Sequence, residues 1–378
     1  MTMTNGTSRV ALTTPLLAIP PTYFVTAHAE QLLEQGLPFE FHAVPLAASV
    51  SPGTTAIPVT QAAQLPIPYA ARSFLAKFAM PMQTSILKRL QPDLIHQHHG
   101  TWCAGAVRAA EALRTPLITT LHGTDVVHAV RDSPRGLQRV HARQTRLAFE
   151  HSRLLLAVSD YQRRRALAAG AHAARIRVHY QGVDTSFFTP QVNLEEETSR
   201  LPRILYAGAL IPLKRVDLVI RASQTLARDL PHELVIIGDG PLRQALETQA
   251  SEDQHIRFVG STDRRGVRAQ MQEADALLLL SQGEGAGLVT LEAQACGLAA
   301  IVSGGDGKAE MVDDGATGAV LSADPTPDEV ARALREWLPD SPSMRAQVSS
   351  ATRSFVVEER SVEAGALSLA DYYDSVLG

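Results

Sequence analysis

The stretch GEGAGLVTLEAQACG, residues 283–297, decides how this chain is expected to fold. It follows an apolar run at 276–280 that is typical of a buried strand, and its glycines lead into a helix-forming sequence that stops at Gly297. A strand, a glycine loop and a helix start together present free backbone amides and the positive end of a helix to an anion. The sequence therefore predicts a phosphate-binding turn at this point.

The same stretch carries two glutamates, Glu284 in the loop and Glu292 about one turn inside the helix. From these positions both carboxylates can face a ligand that lies across the helix start. Two ionised acceptors suit two hydroxyl groups of a neutral ligand. The alternative interpretation is a solvated loop residue and a helix-surface residue, since glutamates are mostly exposed.

This pattern resembles the E-x7-E signature of the retaining nucleotide-sugar glycosyltransferases of family 4. The resemblance implies the GT-B fold, an α/β fold with two Rossmann-like doubly wound domains facing a cleft and a C-terminal helix that crosses back to the first domain. It also implies that Glu284 contacts the donor sugar and that Glu292 holds the ribose hydroxyls. The donor-binding residues implied in this stretch are Gly285, Ala286, Gly287, Leu288 and Glu292.

Length and composition agree with a two-domain enzyme. A chain of 378 residues exceeds what one hydrophobic core usually spans, and 45% hydrophobic with 20% charged residues is ordinary globular composition. Alternating strand and helix patterns fill the first half, and a stretch rich in proline and glutamate follows it. The predicted parts are an acceptor-side domain at 1–184, a linker at 185–202, a donor domain at 203–352 and a helix at 353–378 that packs back on the first domain.

The two cysteines, Cys103 and Cys296, lie far apart and predict a reducing compartment without a disulfide framework. No apolar run approaches the ~20 residues that cross a bilayer, and the N-terminus lacks a basic-then-apolar signal pattern. We therefore expect a cytoplasmic protein.

Charge is distributed unevenly along the chain. Residues 1–190 carry 18 Lys and Arg against 10 Asp and Glu, whereas residues 191–378 carry 17 against 29, and the net charge is −4. The positive half is concentrated in a predicted helix that starts near Ser133 and Pro134. Four arginines at four-residue spacing would form a basic ridge on it, namely Arg131, Arg135, Arg139 and Arg143.

The ridge admits two interpretations. The functional one is an edge that rests on anionic lipid at the inner face of the cell membrane, and the other is a solvated helix face. The core side of the helix is expected to carry Leu137, Val140, Leu147 and Ala148.

Histidines occur at two predicted strand ends in the first half. The segment LHGTD at 121–125 places His122 at the carboxyl end of a strand, where open parallel sheets bind ligands. It resembles the family's HG motif, which implies that His122 contacts the donor sugar near the reacting carbon; a solvated loop histidine is the alternative. His96 and His98 would share one strand face, but with no third ligand nearby we expect no metal there.

The pattern IHQHHG at 95–100 further resembles the IHAHF segment of bacterial exopolysaccharide glycosyltransferases of the colanic-acid type. That likeness implies an acceptor such as a lipid-linked saccharide in exopolysaccharide or capsule synthesis.

The donor domain opens with RILYAGAL at 203–210, a predicted strand running into a glycine turn, followed by Lys214. A lysine just past such a turn can neutralise a diphosphate as its charge grows on leaving; a surface lysine is the alternative. The family usually has an arginine where this chain has Ala209, so one of two expected cations is missing, with Arg215 or Lys308 as substitutes. The donor-side residues predicted here are Gly208, Ala209, Lys214 and Arg215.

The segment GGDGKAE at 304–310 resembles the family's GG-x-x-E loop, which implies that Glu310 lines the donor pocket. The chain has no Asp-x-Asp pair, so we predict metal-independent chemistry in which Lys214 and helix amides meet the charge of the leaving group. No cofactor is predicted, because the nucleotide-sugar is a substrate.

These features together predict a retaining glycosyltransferase that moves a sugar from a UDP- or GDP-sugar to an acceptor hydroxyl, with His122, Lys214 and Glu284 as catalytic residues. One alternative is a nucleotide-sugar epimerase of the same fold, which would need dedicated acid and base residues at the sugar. The other is a noncatalytic nucleotide-sugar-binding subunit, motivated by Ala209. Nucleic acid is not an expected partner.

Overall fold

The computed structural model describes most of the chain, namely residues 6–18, 22–51, 53–63, 72–129, 135–191 and 200–378. It divides into two compact units, one of Met1–Gln181 with Val362–Gly378 and one of Gly182–Ser361. Each unit is built on a six-stranded parallel sheet with crossover helices, which confirms the predicted α/β class with two doubly wound domains.

The sheet of the first unit is buried at its centre. The strands of this unit are β1 (Ser8–Thr13), β2 (Leu16–Ala18), β3 (Phe39–Ala43), β4 (Ala47–Ser49), β5 (Leu94–His98), β6 (Leu117–Leu121), β7 (Leu154–Ala157) and β8 (Ile176–Val178). Six of them pair in the order β3-β1-β5-β6-β7-β8, and β2 pairs with β4 separately. Every residue of β5, β6 and β7 is buried, as expected for strands with helices on both faces.

The sheet of the second unit has the strand order of a dinucleotide-binding fold. Its strands are β9 (Arg203–Ala207), β10 (Glu233–Ile237), β11 (Ile256–Gly260), β12 (Ala276–Leu279), β13 (Ala299–Ser303) and β14 (Gly318–Leu321). They pair in the order β11-β10-β9-β12-β13-β14, so the direction of winding reverses between β9 and β12. Ligands of open α/β sheets bind beyond the carboxyl ends of the strands at such a switch point.

Helices connect the strands in both units. They are α1 (Ala27–Glu34), α2 (Arg72–Leu90), α3 (Ala104–Leu113), α4 (Thr124–Ala129), α5 (Leu137–His151), α6 (Asp160–Ala168), α7 (Val216–Leu226), α8 (Arg243–Gln249), α9 (Arg264–Gln272), α10 (Leu288–Ala295), α11 (Pro327–Trp337), α12 (Pro342–Glu359) and α13 (Val362–Leu377). Within the described ranges, no helix has the length and apolar character to cross a membrane.

The last helix, α13, belongs to the first unit and packs against α1. Its Tyr373 is fully buried, and the hydroxyl lies 2.7 Å from Nδ1 of His96 on β5. The break between α12 and α13 falls at residues 360–361, so Arg353 belongs to the second unit.

The stretch predicted as a linker is docked in part onto the second unit. Arg353 donates hydrogen bonds to the carbonyls of Thr185 and Phe188 at 2.7 and 2.6 Å, and Phe188 is fully buried. Two adjacent aromatic residues at 187–188 provide an apolar anchor for this segment. The prolines and glutamates of the same stretch favour a linker in the sequence and hide this signal. Residues 192–199 of the predicted linker lie outside the described residues.

Helix α5 differs from its prediction at its start. Arg131, Ser133 and Pro134 lie outside the described residues, and the helix begins at Leu137. The prediction that Leu137 faces the core is wrong, because its side chain is 44% exposed. The buried face of α5 starts more than a turn later and consists of Ala142, Thr145, Ala148 and Phe149.

Candidate active site

The glycine stretch forms the loop between β12 and α10, beside the switch point of the second sheet. Gly287 precedes α10 with φ at +69°, and a Cβ there would lie 2.8 Å from Cβ of Lys308. Both constraints require glycine. Since glycine has no side chain that could cap the helix, the first backbone amides of α10 are left for a ligand.

Two loops of the second unit meet at an ion pair between Lys214 and Glu284. Lys214 ends a short turn after β9, and its Nζ donates to the carboxylate of Glu284. The amide of Gln282 donates to the carbonyl of Leu213 at 2.8 Å, which ties the two backbones together. The Lys214 and Glu284 side chains are 22% and 17% exposed, so a ligand can reach both charges. The structure thus brings two predicted catalytic residues into direct contact.

Ala209 lies in a turn that neutral hydrogen bonds hold in place. The Gly208 amide donates to the carbonyl of Ile237 at 3.0 Å, and the Tyr206 hydroxyl donates to the carbonyl of Ala209 at 3.1 Å. Burial, with a contribution from the charge of Glu284, raises the pKa of Tyr206, so the hydroxyl stays protonated. The turn therefore presents backbone and a methyl group where the family usually has a guanidinium.

The two suggested substitute cations have other partners. The guanidinium of Arg215 forms an ion pair with Asp324 at 2.6 Å, and this aspartate is exposed. Lys308 is fully buried, and its Nζ donates to the carbonyl of Ser281 at 2.6 Å and to Asp306 at 2.8 Å. The suggestion that Lys308 contacts a phosphate is therefore wrong, because its ammonium has no exposed surface.

The other predicted donor residues lie along the same edge of the second sheet. Glu292 is one turn inside α10, and Glu310 is in the turn Gly307–Met311 that follows β13; both are partly exposed. The loop before α10 supplies Gly285 and Ala286, and Leu288 is the first residue of α10.

A cluster of imidazoles occupies the corresponding edge of the first sheet. Nδ1 of His98 lies 3.1 Å from Nε2 of His122, and the two rings stack with centroids 5.3 Å apart. His96 stacks on His98 at 4.4 Å, and His28 faces His179 at 5.0 Å. We call this set the imidazole cluster; its members are His28, His96, His98, His99, His122 and His179.

The imidazole cluster is electrically neutral near pH 7. Burial lowers the pKa of His28 to about 4 and that of His96 to about 3. Burial, reinforced by neighbouring imidazoles, also holds the pKa of His98, His122 and His179 well below the ordinary value. His122 can therefore donate or accept a hydrogen bond, but it brings no positive charge to a ligand.

Asp125 fixes the two loops that carry these histidines. Its buried carboxylate accepts hydrogen bonds from the backbone amides of Gly100, His122 and Gly123 at 3.0, 3.2 and 2.8 Å. Gly100 follows β5 and His122 follows β6, so one side chain holds both strand ends.

His96 is unsuited to bind a metal, because both of its ring nitrogens are engaged. Nδ1 lies 2.7 Å from the Tyr373 hydroxyl, and Nε2 lies 2.7 Å from the Thr120 hydroxyl. Among the described residues, no group of three or more His, Cys, Asp or Glu side chains is placed to hold a metal ion.

Sequence reasoning missed several residues of these sites. His28 and His179 come from segments far from β5 and β6, and nothing in their local sequence indicates a shared cluster. The role of Asp125 had a readable signal, because an aspartate three residues after His122 can accept amides of the same turn. The burial of Lys308 had no signal, since a lysine in a glycine-rich loop is usually exposed.

Two family models match the chain. "Glycosyltransferase Family 4" matches residues 23–187, and "Glycosyl transferases group 1" matches residues 190–355. D-inositol 3-phosphate glycosyltransferase of Kineococcus radiotolerans is 30% identical over an alignment of 296 residues, with 69% of this chain and 67% of that protein covered. The Mycobacterium avium protein of the same name is 27% identical over 291 residues, covering 70% of this chain and 66% of its own length. The matched part thus spans about two thirds of these relatives.

Solved structures show the same fold. HepE of Anabaena, crystallised in complex with UDP and glucose, superposes with a TM-score of 0.77 at 19% identity and covers 97% of this chain and 100% of its own. WaaG, described as a glycosyltransferase involved in lipopolysaccharide biosynthesis, gives a TM-score of 0.74 at 17% identity and covers 96% and 98% of the two chains.

Proposed function

The chain belongs to the family 4 glycosyltransferases, and we propose on that premise that it moves a sugar from a nucleotide-diphosphate donor to an acceptor hydroxyl with retention of configuration. The observation that carries the proposal is the Lys214–Glu284 ion pair beside the open start of α10. A cation and helix amides suit a diphosphate, and a carboxylate suits sugar hydroxyls.

In this proposal, donor binding breaks the Lys214–Glu284 ion pair and gives each of the two side chains a new partner. The diphosphate takes the place of Glu284 at the ammonium of Lys214 and accepts hydrogen bonds from the first amides of α10. Glu284 then accepts hydrogen bonds from the sugar, Glu292 holds the ribose hydroxyls, and Glu310 lines the pocket. The negative charge that grows as the bond to the sugar breaks is met by Lys214 and the α10 amides.

His122 is proposed to contact the donor sugar. A neutral imidazole suits an uncharged hydroxyl group, and the low pKa of His122 keeps it in that form. The acceptor oxygen forms its bond to the anomeric carbon as the bond from that carbon to the diphosphate breaks. The leaving phosphate takes the acceptor proton, so no protein carboxylate is needed as the base.

UDP-glucose is the first donor to test, because HepE was crystallised with UDP and glucose. Two acceptor classes compete. The likeness of IHQHHG to exopolysaccharide enzymes favours a lipid-linked saccharide, whereas the names of the curated relatives favour D-inositol 3-phosphate.

A lipid-linked acceptor would agree with a basic surface on α5. Arg135, Arg139 and Arg143 are exposed, and so is Leu137 at the start of the helix. Exposed arginines beside an exposed leucine suit an anionic lipid surface. Arg131, the fourth residue of the predicted ridge, lies outside the described residues.

Liposome sedimentation tests the membrane part of the proposal. Phosphatidylglycerol vesicles should retain the protein more than phosphatidylcholine vesicles, and Arg139→Gln/Arg143→Gln should weaken that retention. The matched control is Arg228→Gln/Arg332→Gln, two exposed arginines of the second unit, which should sediment like the wild type. Equal retention on both lipids would contradict a role for charge.

A transfer assay tests the reaction. The protein is incubated with UDP-glucose or a GDP-sugar and with either D-inositol 3-phosphate or a polyprenyl-diphosphate-linked saccharide, and release of the nucleoside diphosphate is followed. We expect release that depends on one acceptor, and a product in which NMR shows the donor's anomeric configuration. Conversion of the donor sugar without any acceptor would favour an epimerase, and an inverted product would contradict retention.

A further inference from the structure

The loop that carries Glu284 is held from inside the second unit by a buried ion pair. Lys308 is 0% and Asp306 4% exposed at the side chain, and Nζ of Lys308 lies 2.8 Å from Oδ1 of Asp306. The same ammonium donates to the carbonyl of Ser281 at 2.6 Å, which lies near the start of the loop. One charge pair therefore joins the turn after β13 to the loop after β12.

Both backbone groups of Glu284 are fixed by residues next to that pair. Its amide donates to Oδ2 of Asp306 at 2.9 Å, and its carbonyl accepts from the amide of Gly307 at 3.1 Å. At the far end of the loop, Gly287 packs directly on the stem of Lys308. The loop is thus held at its start, at Glu284 and at its end by the segment 306–308.

Stability alone does not explain two buried charges at this place. Removing ions from water is costly, and apolar pairs of similar volume often stabilise a protein as well or better. An apolar pair cannot accept a hydrogen bond from the Glu284 amide or donate one to the Ser281 carbonyl. Burial lowers the pKa of Lys308. The negative charges of Asp306 and Glu284 oppose that shift and favour the protonated ammonium.

We infer that Asp306 and Lys308 are positioning residues for sugar transfer, which hold Glu284 and its partner Lys214 in the geometry that the donor requires. This inference rests on the proposed function. Neither residue contacts the donor, because the pair lies beneath the loop; the pair acts by fixing the Glu284 backbone. The catalytic groups themselves are Glu284 and Lys214, and preorganising them before the donor arrives avoids ordering them during reaction.

Three variants test the inference. Lys308→Met keeps the stem and removes the ammonium, Asp306→Asn keeps the shape and removes the charge, and the double variant leaves no buried charge without a partner. The matched control is Arg345→Met, which removes from the buried Asp275 an arginine that lies 2.8 Å from it in the same unit. The melting temperature, the kcat, the KM for the donor and the exchange rate of the Glu284 and Gly307 amides are measured for all four.

We expect Lys308→Met to lower kcat at least tenfold at temperatures where the protein is folded, and Arg345→Met to lower the melting temperature without that loss. The double variant should regain stability relative to Lys308→Met, while its kcat stays low. If Asp306 and Lys308 have a purely structural role, Lys308→Met should lower the melting temperature but should keep the kcat of the wild type where it is folded. A folded Lys308→Met or double variant with the kcat of the wild type would overturn the inference.

Amide exchange separates this inference from the proposed function. If the wild type transfers no sugar from any nucleotide donor, the proposed function fails on its own. The positioning role is then judged by the Glu284 and Gly307 amides, which should exchange at least tenfold faster in Lys308→Met than in the wild type or in Arg345→Met. Unchanged exchange would overturn it.

Discussion

The two units differ in the charges that they carry at the carboxyl edges of their sheets. At the carboxyl edge of the first sheet, six imidazoles pack together, and burial lowers the pKa of each below the ordinary value, which favours the neutral form near pH 7. At the carboxyl edge of the second sheet, ion pairs join Lys214 to Glu284 and Lys308 to Asp306. Parallel sheets offer loops at this edge, but side chains decide what each loop can bind.

We propose that the two edges recognise different parts of the substrates. Cations and amides suit a diphosphate, and the second unit carries them. Neutral donors and acceptors suit a sugar or acceptor hydroxyl, and the first unit carries them in His122 and its neighbours. Variants in the second unit should therefore change nucleotide binding, whereas variants in the first should change turnover without changing nucleotide binding.

The largest effect is expected on acidification, and it arises in the first unit. The unfolded chain binds a proton at each histidine near pH 6.5, whereas the folded chain leaves His28 neutral down to about pH 4 and His96 down to about pH 3. Stability is therefore full above pH 6.5 and is lost as the pH falls below it, by about 1.4 kcal/mol per pH unit for each such histidine. Urea unfolding at pH 7.5 and 5.5 measures the loss.

A pair of variants attributes that loss to the imidazole cluster. His179→Gln removes one buried imidazole and should make the pH dependence shallower by about 1.4 kcal/mol per pH unit. His172→Gln, at an exposed site of the same unit, should leave the slope unchanged. Equal unfolding free energies at the two pH values in the wild type would show that the cluster accepts protons without cost.

The next largest effect is expected for Lys214→Met. Losing the ammonium that meets the leaving diphosphate should lower kcat by about 10²–10³-fold, as for removal of one preorganised donor from other active sites. Nucleoside diphosphate release under saturating donor is the measurement. Lys88→Met, at an exposed lysine of the first unit, is the control and should retain full activity. A Lys214→Met enzyme with wild-type kcat would mean that another group meets the charge.

A smaller loss is expected for His122→Ala, about 10- to 100-fold in kcat, since a single hydrogen bond to a neutral hydroxyl is removed. Because His122 carries no charge, the affinity for the nucleoside diphosphate should not change. Calorimetric titration of the variant with the nucleotide checks this point. A weakened nucleotide affinity would contradict the division of roles between the two edges.

The smallest effect is expected for Ala209→Arg, which adds the guanidinium common in the family. A charge-assisted contact contributes about 1.5–3 kcal/mol, and we expect the lower end of that range at a turn held for alanine, so donor turnover should rise about tenfold. Initial rates at low donor concentration measure it, with Ala209→Gln as an uncharged control of similar length. A clear fall in turnover with arginine alone would mean that the turn held by Tyr206 is built around alanine.

The sequence was most informative where local chemistry decides structure. The glycine loop at 283–287 could be read because only glycine fits its backbone angles, and the strand before it because an apolar run of five residues suits a sheet covered on both faces. The sequence predicts Lys214 and Glu284 as donor-side residues of two separate loops, but it does not predict the ion pair between them. The predictions of the loop and the strand rest on short-range patterns.

The residues whose positions the sequence does not predict depend on contacts between distant segments. Helical periodicity predicts Leu137 in the core, but Leu137 is the first residue of α5 and the buried residues of that helix begin at Ala142. The sequence suggests Lys308 as a substitute cation for the leaving diphosphate, yet its ammonium is buried, where Asp306 and the carbonyl of Ser281 bind it. His28 and His179 join the imidazole cluster only when α1 and the segment after β8 are folded beside β5, and no local pattern encodes that.

We propose that the second unit alone recognises the nucleoside diphosphate. The most direct test is thermal unfolding of the wild type, Lys214→Met and His122→Ala with UDP, GDP, ADP and no ligand. One nucleotide at 100 times its Kd should stabilise the wild type and His122→Ala by ~2.7 kcal/mol, and should leave Lys214→Met nearly unshifted. If the wild type responds to none of the three, or if Lys214→Met responds like the wild type, the second unit does not recognise the nucleoside diphosphate through Lys214.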